Sequence, residues 1–248
     1  LPMFLKKNKI DILISTDSST FCNYSPSIVF NQDILSFDKE ALNQIPFSLE
    51  KIRLYIIKYV QIYSMNNANE VIFLSKNSRK TISKYLKKKT NHNIIHHGAE
   101  EYIKKIRKRK NNNLSWNYNS KSKIKIVYVS PLFKYKNHST VAKAYSRLKN
   151  KYKNLDIKFI GNYEHNLNLL NNIINENPII NKSHFVGEIN QQKVIKNLIN
   201  SDIFVFASSS ETFGISLVEA MAIGMPIVCS NKSSLPEILE DGGLYFNP

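Results

Sequence analysis

Two glutamates eight positions apart, Glu211 and Glu219, flank a stretch of backbone suited to holding an anion. Upstream, Ile203-Phe204-Val205-Phe206-Ala207 is a short run rich in aromatic and β-branched residues, which predicts a buried strand. Ser208-Ser209-Ser210 then makes a small polar loop. Leu217, Val218, Ala220, Met221 and Ala222 predict a helix whose end is marked by Gly224 and Pro226. Glu211 therefore falls in a loop at the carboxyl end of a strand, and Glu219 lies roughly one to two turns into the next helix. Between them Thr212, Phe213 and Gly214 offer backbone N–H groups at a helix N-terminus, where negative charge is favoured. A ligand with a phosphate in its middle and hydroxyls on both sides fits this pattern, and a nucleotide-sugar is such a ligand. Acidic residues near helix starts also serve simply to complement the dipole, and the pair alone does not exclude that reading. The surroundings favour a ligand: the helix is rich in small residues that let it approach a sheet, and a second short strand, Ile227-Val228-Cys229, follows at once.

Other elements must position this turn. Lys123 to Ser130 predicts a strand, Ser139 to Lys149 a helix, Ile157 to Gly161 a strand and Leu167 to Asn175 a helix. Ser183 to Gly187 is strand-like and Lys193 to Asn200 helical. Alternation of this kind implies a parallel, doubly wound sheet, whose ligands bind at the carboxyl ends of strands near a switch point. Earlier in the chain, Ile10 to Ser15, Ser27 to Phe30, Glu70 to Ser75 and Asn93 to His96 predict strands. Ser48 to about Met65 predicts a helix capped by Ser48, and Ser78 to Lys88 a basic helix. Residues 107–123 are basic and polar with little apolar periodicity, which predicts a linker between a first domain, 1–106, and a second, 124–248.

In order along the chain, Ala207-Ser208-Ser209, Glu211, Phe213-Gly214, Glu219-Ala220-Met221-Ala222, Gly224, Pro226-Ile227-Val228, Leu235-Pro236-Glu237 and the closing run from Asp241 to Pro248 form a pattern. It resembles the E-x7-E signature of retaining glycosyltransferases of family 4. The likeness is densest over residues 183–248 and continues more weakly upstream. Within that family the chain is most similar to bacterial mannosyl- and rhamnosyltransferases of surface polysaccharide synthesis. The resemblance implies an α/β GT-B fold, two Rossmann-like domains facing a central cleft, both incomplete here. It further implies transfer of a hexose, first of all mannose from GDP-mannose, to a hydroxyl of a glycan or lipid-linked glycan. A UDP- or dTDP-sugar donor, a non-catalytic nucleotide-sugar binder and a basic nucleic-acid-binding module are the alternatives.

The resemblance also assigns roles. Glu211 meets hydroxyls of the transferred sugar with help from the N–H groups of Phe213 and Gly214, and Glu219 holds the ribose. Lys136 neutralises the diphosphate, where preorganised positive charge stabilises a leaving group that gains negative charge in the transition state. Pro131 stands where relatives carry a partner arginine, with Lys134 as substitute. Val186-Gly187-Glu188 borders the base. Gln32 occupies the place of a histidine on the facing wall; an amide cannot act as acid or base but can bond a sugar hydroxyl. Arg53 and Ser75 match positions near the cleft. No Asp-x-Asp sequence marks a metal-bound diphosphate, so no metal and no cofactor beyond the donor sugar are expected, and His92, His96 and His97 are not expected to form a metal site.

Composition bounds the setting. A net charge of +16, from 35 Lys and Arg against 19 Asp and Glu, suits nucleic acid or an anionic membrane face, and also follows from a Lys-, Asn- and Ile-rich composition. No zinc-finger, RNP or helix-turn-helix pattern supports nucleic acid. Lys76, Arg79, Lys80, Lys84, Lys87, Lys88 and Lys89 make a basic face able to dock on anionic lipid. No run approaches the ~18 apolar residues of a membrane span. Cys22 and Cys229 make neither a disulfide framework nor a metal spacing. A cytoplasmic protein, peripheral on the inner membrane face, is the resulting expectation. The start at Leu1 and the abrupt end at Pro248 read as truncations.

Overall fold

A computed structural model describes residues 1–99 and 123–248. They fall into two compact units: Leu1–His97 with Ser210–Phe213, and the described part of Gly98–Ser209 with Gly214–Pro248. The linker expected at 107–123 lies almost wholly outside the described residues.

In the first unit, strands β1 (Leu13–Ser15), β2 (Ser27–Asn31), β3 (Glu70–Phe73) and β4 (Asn91–Ile94) form a parallel sheet in that order. Helices α1 (Pro2–Lys7), α2 (Lys39–Gln44), α3 (Leu49–Asn67) and α4 (Lys76–Ile82) surround it. Val29, Ile34, Phe37, Met65, Val71, Phe73 and Ile82 make its core. Ser48 caps α3 through the N–H of Lys51, as expected.

Several boundaries in this unit differ from expectation, and for some the local reason is visible. The first strand begins at Leu13 rather than Ile10, because Ile10 closes the turn after α1: its N–H bonds the Leu5 carbonyl and its own carbonyl accepts from the Tyr24 hydroxyl. The basic helix starts at Lys76, since Ser75 and Ser78 form a reciprocal capping box, and it stops at Ile82, where the chain tightens into a 3₁₀ turn, Ser83–Tyr85, that packs Tyr85 and Leu86 against the core. The fourth strand is shifted two residues back, pairing Asn91 with Glu70 and Ile94 with Phe73. The short helices α1 and α2 carry too little periodicity to announce themselves; Asp38 caps α2 through the Ala41 N–H.

The second unit holds a six-stranded parallel sheet in the order β10-β9-β8-β5-β6-β7. Its strands are β5 (Ile124–Val129), β6 (Leu155–Ile160), β7 (Phe185–Gly187), β8 (Ile203–Phe206), β9 (Ile227–Ser230) and β10 (Leu244–Phe246). Its helices are α5 (His138–Lys151), α6 (Leu167–Glu176), α7 (Gln191–Ile199), α8 (Ile215–Ile223) and α9 (Leu235–Leu239). From β5 the chain runs outward one way through β6 and β7, then returns to lay β8 on the other side of β5 and continues to β10. The switch point lies between β5 and β8, where Ile126 pairs with Ile203 and Val127 with Phe204.

Gly161, directly after β6, has φ +143°, and a Cβ there would sit 2.3 Å from the Ser130 carbonyl oxygen and 2.8 Å from the Pro131 nitrogen. Both the backbone conformation and the close approach require glycine. Replacing Gly161 by Ala is expected to destabilise the protein by roughly 2–4 kcal/mol. Urea unfolding of the two proteins measures this directly, and an unchanged midpoint would show that the strand-end crossing does not constrain the loop.

Candidate functional site

Loops from the carboxyl ends of β5, β6, β7 and β8 meet in the second unit around the start of α8. Gly214 is the N-cap of α8, with φ +96°, and a Cβ on it would press within 3.1 Å of Leu235. The first N–H groups of the helix, which a helix leaves without internal partners, are those of Ile215 and Ser216. These donors directly follow the Thr212-Phe213-Gly214 segment singled out in the sequence, whose last residue is the N-cap itself. Ser216 Oγ bonds the Val129 carbonyl at 3.3 Å, seating this helix start on the end of β5.

Glu219 is the fifth residue of α8 and is only 6% exposed. Gln191, at the start of α7, donates its amide to Glu219 Oε1. Gln191 was not singled out from the sequence: it stands 28 residues away and nothing in its type or spacing marks it.

Lys136 closes a 3₁₀ turn, Lys134–Lys136, on the loop after β5 and is 8% exposed. Its Nζ lies 5.2 Å from the centre of the Tyr135 ring. The Tyr128 hydroxyl bonds its carbonyl oxygen, and His138 stacks on Tyr128 at 4.5 Å and 26°. His138 is buried; its ring bonds the Ser130 backbone while Nδ1 meets no hydrogen-bond partner among the described residues. Burial pushes the imidazole down to about 3 and the nearby Lys136 ammonium adds to this, against the opposing effect of the Ser130 bond. The ring next to the lysine is therefore neutral and uncharged at physiological pH. Pro131 and Lys134 are both exposed.

The loop after β7 joins this assembly through side chains. Val186 is exposed on β7, and Gly187 ends it with its carbonyl accepting from the Gly161 N–H at 3.0 Å. Glu188 accepts from Asn162 Nδ2 at 2.9 Å, and Asn162 Oδ1 faces His165 Nδ1 at 3.1 Å. His165 Nε2 lies 3.0 Å from the Leu132 carbonyl, and its ring is 4.4 Å from Phe133. The loops after β7 and β5 are thereby linked through Asn162 and His165, neither of which the motifs had indicated.

The remaining assigned residues belong to the first unit. Gln32 is exposed immediately after β2, and Arg53 is exposed on α3. Glu211 lies in the chain between β8 and α8, but Ser210–Phe213 groups with the first unit, where Ser75 Oγ donates to the Thr212 carbonyl at 2.8 Å. Within the same unit the rings of His96 and His97 sit 5.5 Å from Phe213, and His92 packs edge-on to Phe73.

The family model of glycosyl transferases group 1 matches residues 109–247. The chain is 51% identical over 45 residues to the O-antigen chain mannosyltransferase B of Escherichia coli, a match covering 18% of this chain and 12% of that protein. It is 26% identical over 253 aligned positions to an uncharacterized glycosyltransferase of Methanocaldococcus jannaschii, covering 97% of this chain and 63% of that one. Among solved structures, Anabaena HepE in complex with UDP and glucose superposes with a TM-score of 0.72 at 18% identity, covering 99% of this chain and 66% of that chain. The chain thus spans less than two thirds of the length of these relatives.

The buried, neutral His138 predicts an acid sensitivity. Its folded-state value lies below the ordinary 6.5, so the unfolded chain binds the extra proton between about pH 6.5 and about 3. The stability it contributes is complete above 6.5 and is lost as the pH falls, by at most about 1.4 kcal/mol per pH unit. Urea unfolding at pH 7 and pH 5.5 should give a shallower pH dependence for His138→Phe than for the unaltered protein. Equal dependences would mean that His138 does not stay neutral in the fold.

Proposed function

The chain belongs to glycosyl transferases group 1, and on that premise we propose that the protein transfers a hexose from a nucleoside diphosphate sugar to a hydroxyl of a glycan or lipid-linked glycan, with retention at the anomeric carbon. One observation carries this reading: at the switch point of the parallel sheet, a buried lysine, a buried carboxylate and the open N-terminus of α8 come from neighbouring strand ends.

Each group has a chemical task. The Lys136 ammonium and the first N–H groups of α8 take the diphosphate, whose charge grows as the bond to the sugar breaks. Stabilisation that grows with that charge lowers the barrier rather than only tightening binding. Glu219 accepts hydrogen bonds from the ribose hydroxyls, with Gln191 holding its carboxylate. Val186 and Gly187 border the base, and Lys134 adds a second cation in place of the missing arginine. Glu211, with Phe213 and Gly214 beside it in sequence, reads hydroxyls of the sugar. Gln32 and Arg53 are proposed to bond substrate hydroxyls. With no acid or base supplied by Gln32, the leaving phosphate oxygen takes the proton of the acceptor hydroxyl. No resident metal or other cofactor is part of this reading, since lysine and helix N-terminus meet the charge that a metal would otherwise meet.

The match to an O-antigen mannosyltransferase supports mannose, with GDP-mannose as donor. A second reading, a UDP-sugar such as UDP-glucose, is supported by the UDP and glucose held by HepE. Thermal-shift titration of the full-length protein with GDP, UDP and dTDP sorts these readings. Lys136→Ala and Glu219→Gln should each weaken nucleoside diphosphate binding by about 10- to 100-fold, and Glu211→Ala should lower turnover more than donor binding. Wild-type affinity in both binding-site variants would remove the assignment.

No helix among the described residues is long and apolar enough to cross a membrane. Lys76, Arg79, Lys80, Lys84, Lys87, Lys88 and Lys89 are all exposed, and this basic surface supports peripheral docking at the cytoplasmic membrane face. Cosedimentation with liposomes should rise with anionic lipid content and fall with added salt; indifference to lipid charge would contradict docking.

A further inference from the structure

We propose that Asn137 is a positioning residue for Lys136: its backbone turns the lysine loop into α5, and its amide locks that loop to the chain leaving β8. The proposal rests on Lys136 binding the diphosphate, as argued above.

Asn137 has φ +53° and ψ +37°, a left-handed conformation that asparagine tolerates better than most residues but that glycine adopts most easily. It stands at the N-cap of α5, where an asparagine side chain ordinarily accepts from the first turn of the helix, yet it makes no such bond. Its Nδ2 instead donates to the Ala207 carbonyl at 2.9 Å and to Ser209 Oγ at 2.7 Å, with a longer contact to the Tyr135 carbonyl at 3.3 Å. A backbone carbonyl can only accept, so the nitrogen of the amide is fixed on that side. The Ser209 N–H returns a bond to the Tyr135 carbonyl at 2.8 Å. Two loops 70 and more residues apart are thus joined by hydrogen bonds running in both directions.

On the other flank, the Tyr128 hydroxyl holds the Lys136 carbonyl, and His138 backs Tyr128 by stacking. Lysine carries its charge on a flexible four-carbon stem with high rotamer entropy. Fixing its backbone from both sides shortens the search of the ammonium for the diphosphate and lowers the reorganisation on binding. A glycine at position 137 would keep the turn and lose the lock, which separates the two roles of the residue.

Isothermal titration of the full-length protein with the preferred nucleoside diphosphate, and with the matching monophosphate, tests this alongside the melting temperature. Asn137→Gly should lower diphosphate affinity about tenfold while changing monophosphate affinity much less, with a near-native melting temperature. Ser209→Ala should cause a smaller loss, because the Ala207 carbonyl remains, and it should add little to Asn137→Gly in the double variant. Asn137→Asp keeps the preference for the left-handed turn but removes the donor; it should match Asn137→Gly, and it serves if the glycine variant does not fold. Wild-type discrimination between diphosphate and monophosphate in a folded Asn137 variant, with Lys136→Ala still impaired, overturns this role alone. Wild-type binding by Lys136→Ala overturns the assignment on which it rests.

Discussion

The pairing of β5 with β8 is the constraint on which the site depends. Strand order reverses there, and two loops from distant parts of the chain must leave the sheet side by side. One carries Lys136, the other leads through Ser209 to the start of α8. A parallel sheet has its strand ends all pointing one way, so the helix that follows β8 begins beside the end of β5, where Ser216 bonds the Val129 carbonyl and the lysine loop starts. The hydrogen bonds between Asn137, Ala207, Ser209 and Tyr135 convert this adjacency into fixed geometry.

Burial then sets the electrostatics. Lys136 and Glu219 are both nearly excluded from solvent, where charge interactions are stronger than in water and unpaired charge is costly. The Tyr128 hydroxyl bonds the lysine's backbone carbonyl, the Asn137 amide ties its loop, and the Gln191 amide donates to the Glu219 carboxylate. A neutral His138 beside Lys136 packs without adding a competing charge. Gly161 and Gly214 supply the backbone conformations that let strand ends and helix start approach one another.

Much of this was legible in the sequence where a local pattern carried it. The aromatic and β-branched run at Ile203–Phe206, the small-residue helix and its Gly224 stop announced the strand, turn and helix around Glu219, and the E-x7-E spacing announced the family. Ser48 at the start of α3 was equally readable. Short helices such as α2 were not, because six residues hold barely more than one turn of periodicity. The basic helix was drawn too long because lysines favour helix without specifying a buried face; the Ser75–Ser78 box and the apolar Ile82 set its true limits. Gln191 and Asn137 escaped notice for a different reason. Their partners lie 28, 70 and 72 residues away, and only the fold brings them together.

The central claim is that the second unit grips a nucleoside diphosphate between Lys136 and Glu219. A crystal structure of the full-length protein with its nucleoside diphosphate tests it most directly. The account predicts phosphate oxygens within hydrogen-bond distance of Lys136 Nζ and of the first N–H groups of α8, with ribose hydroxyls on the Glu219 carboxylate. A nucleotide bound with its diphosphate away from Lys136, or its ribose away from Glu219, would contradict it.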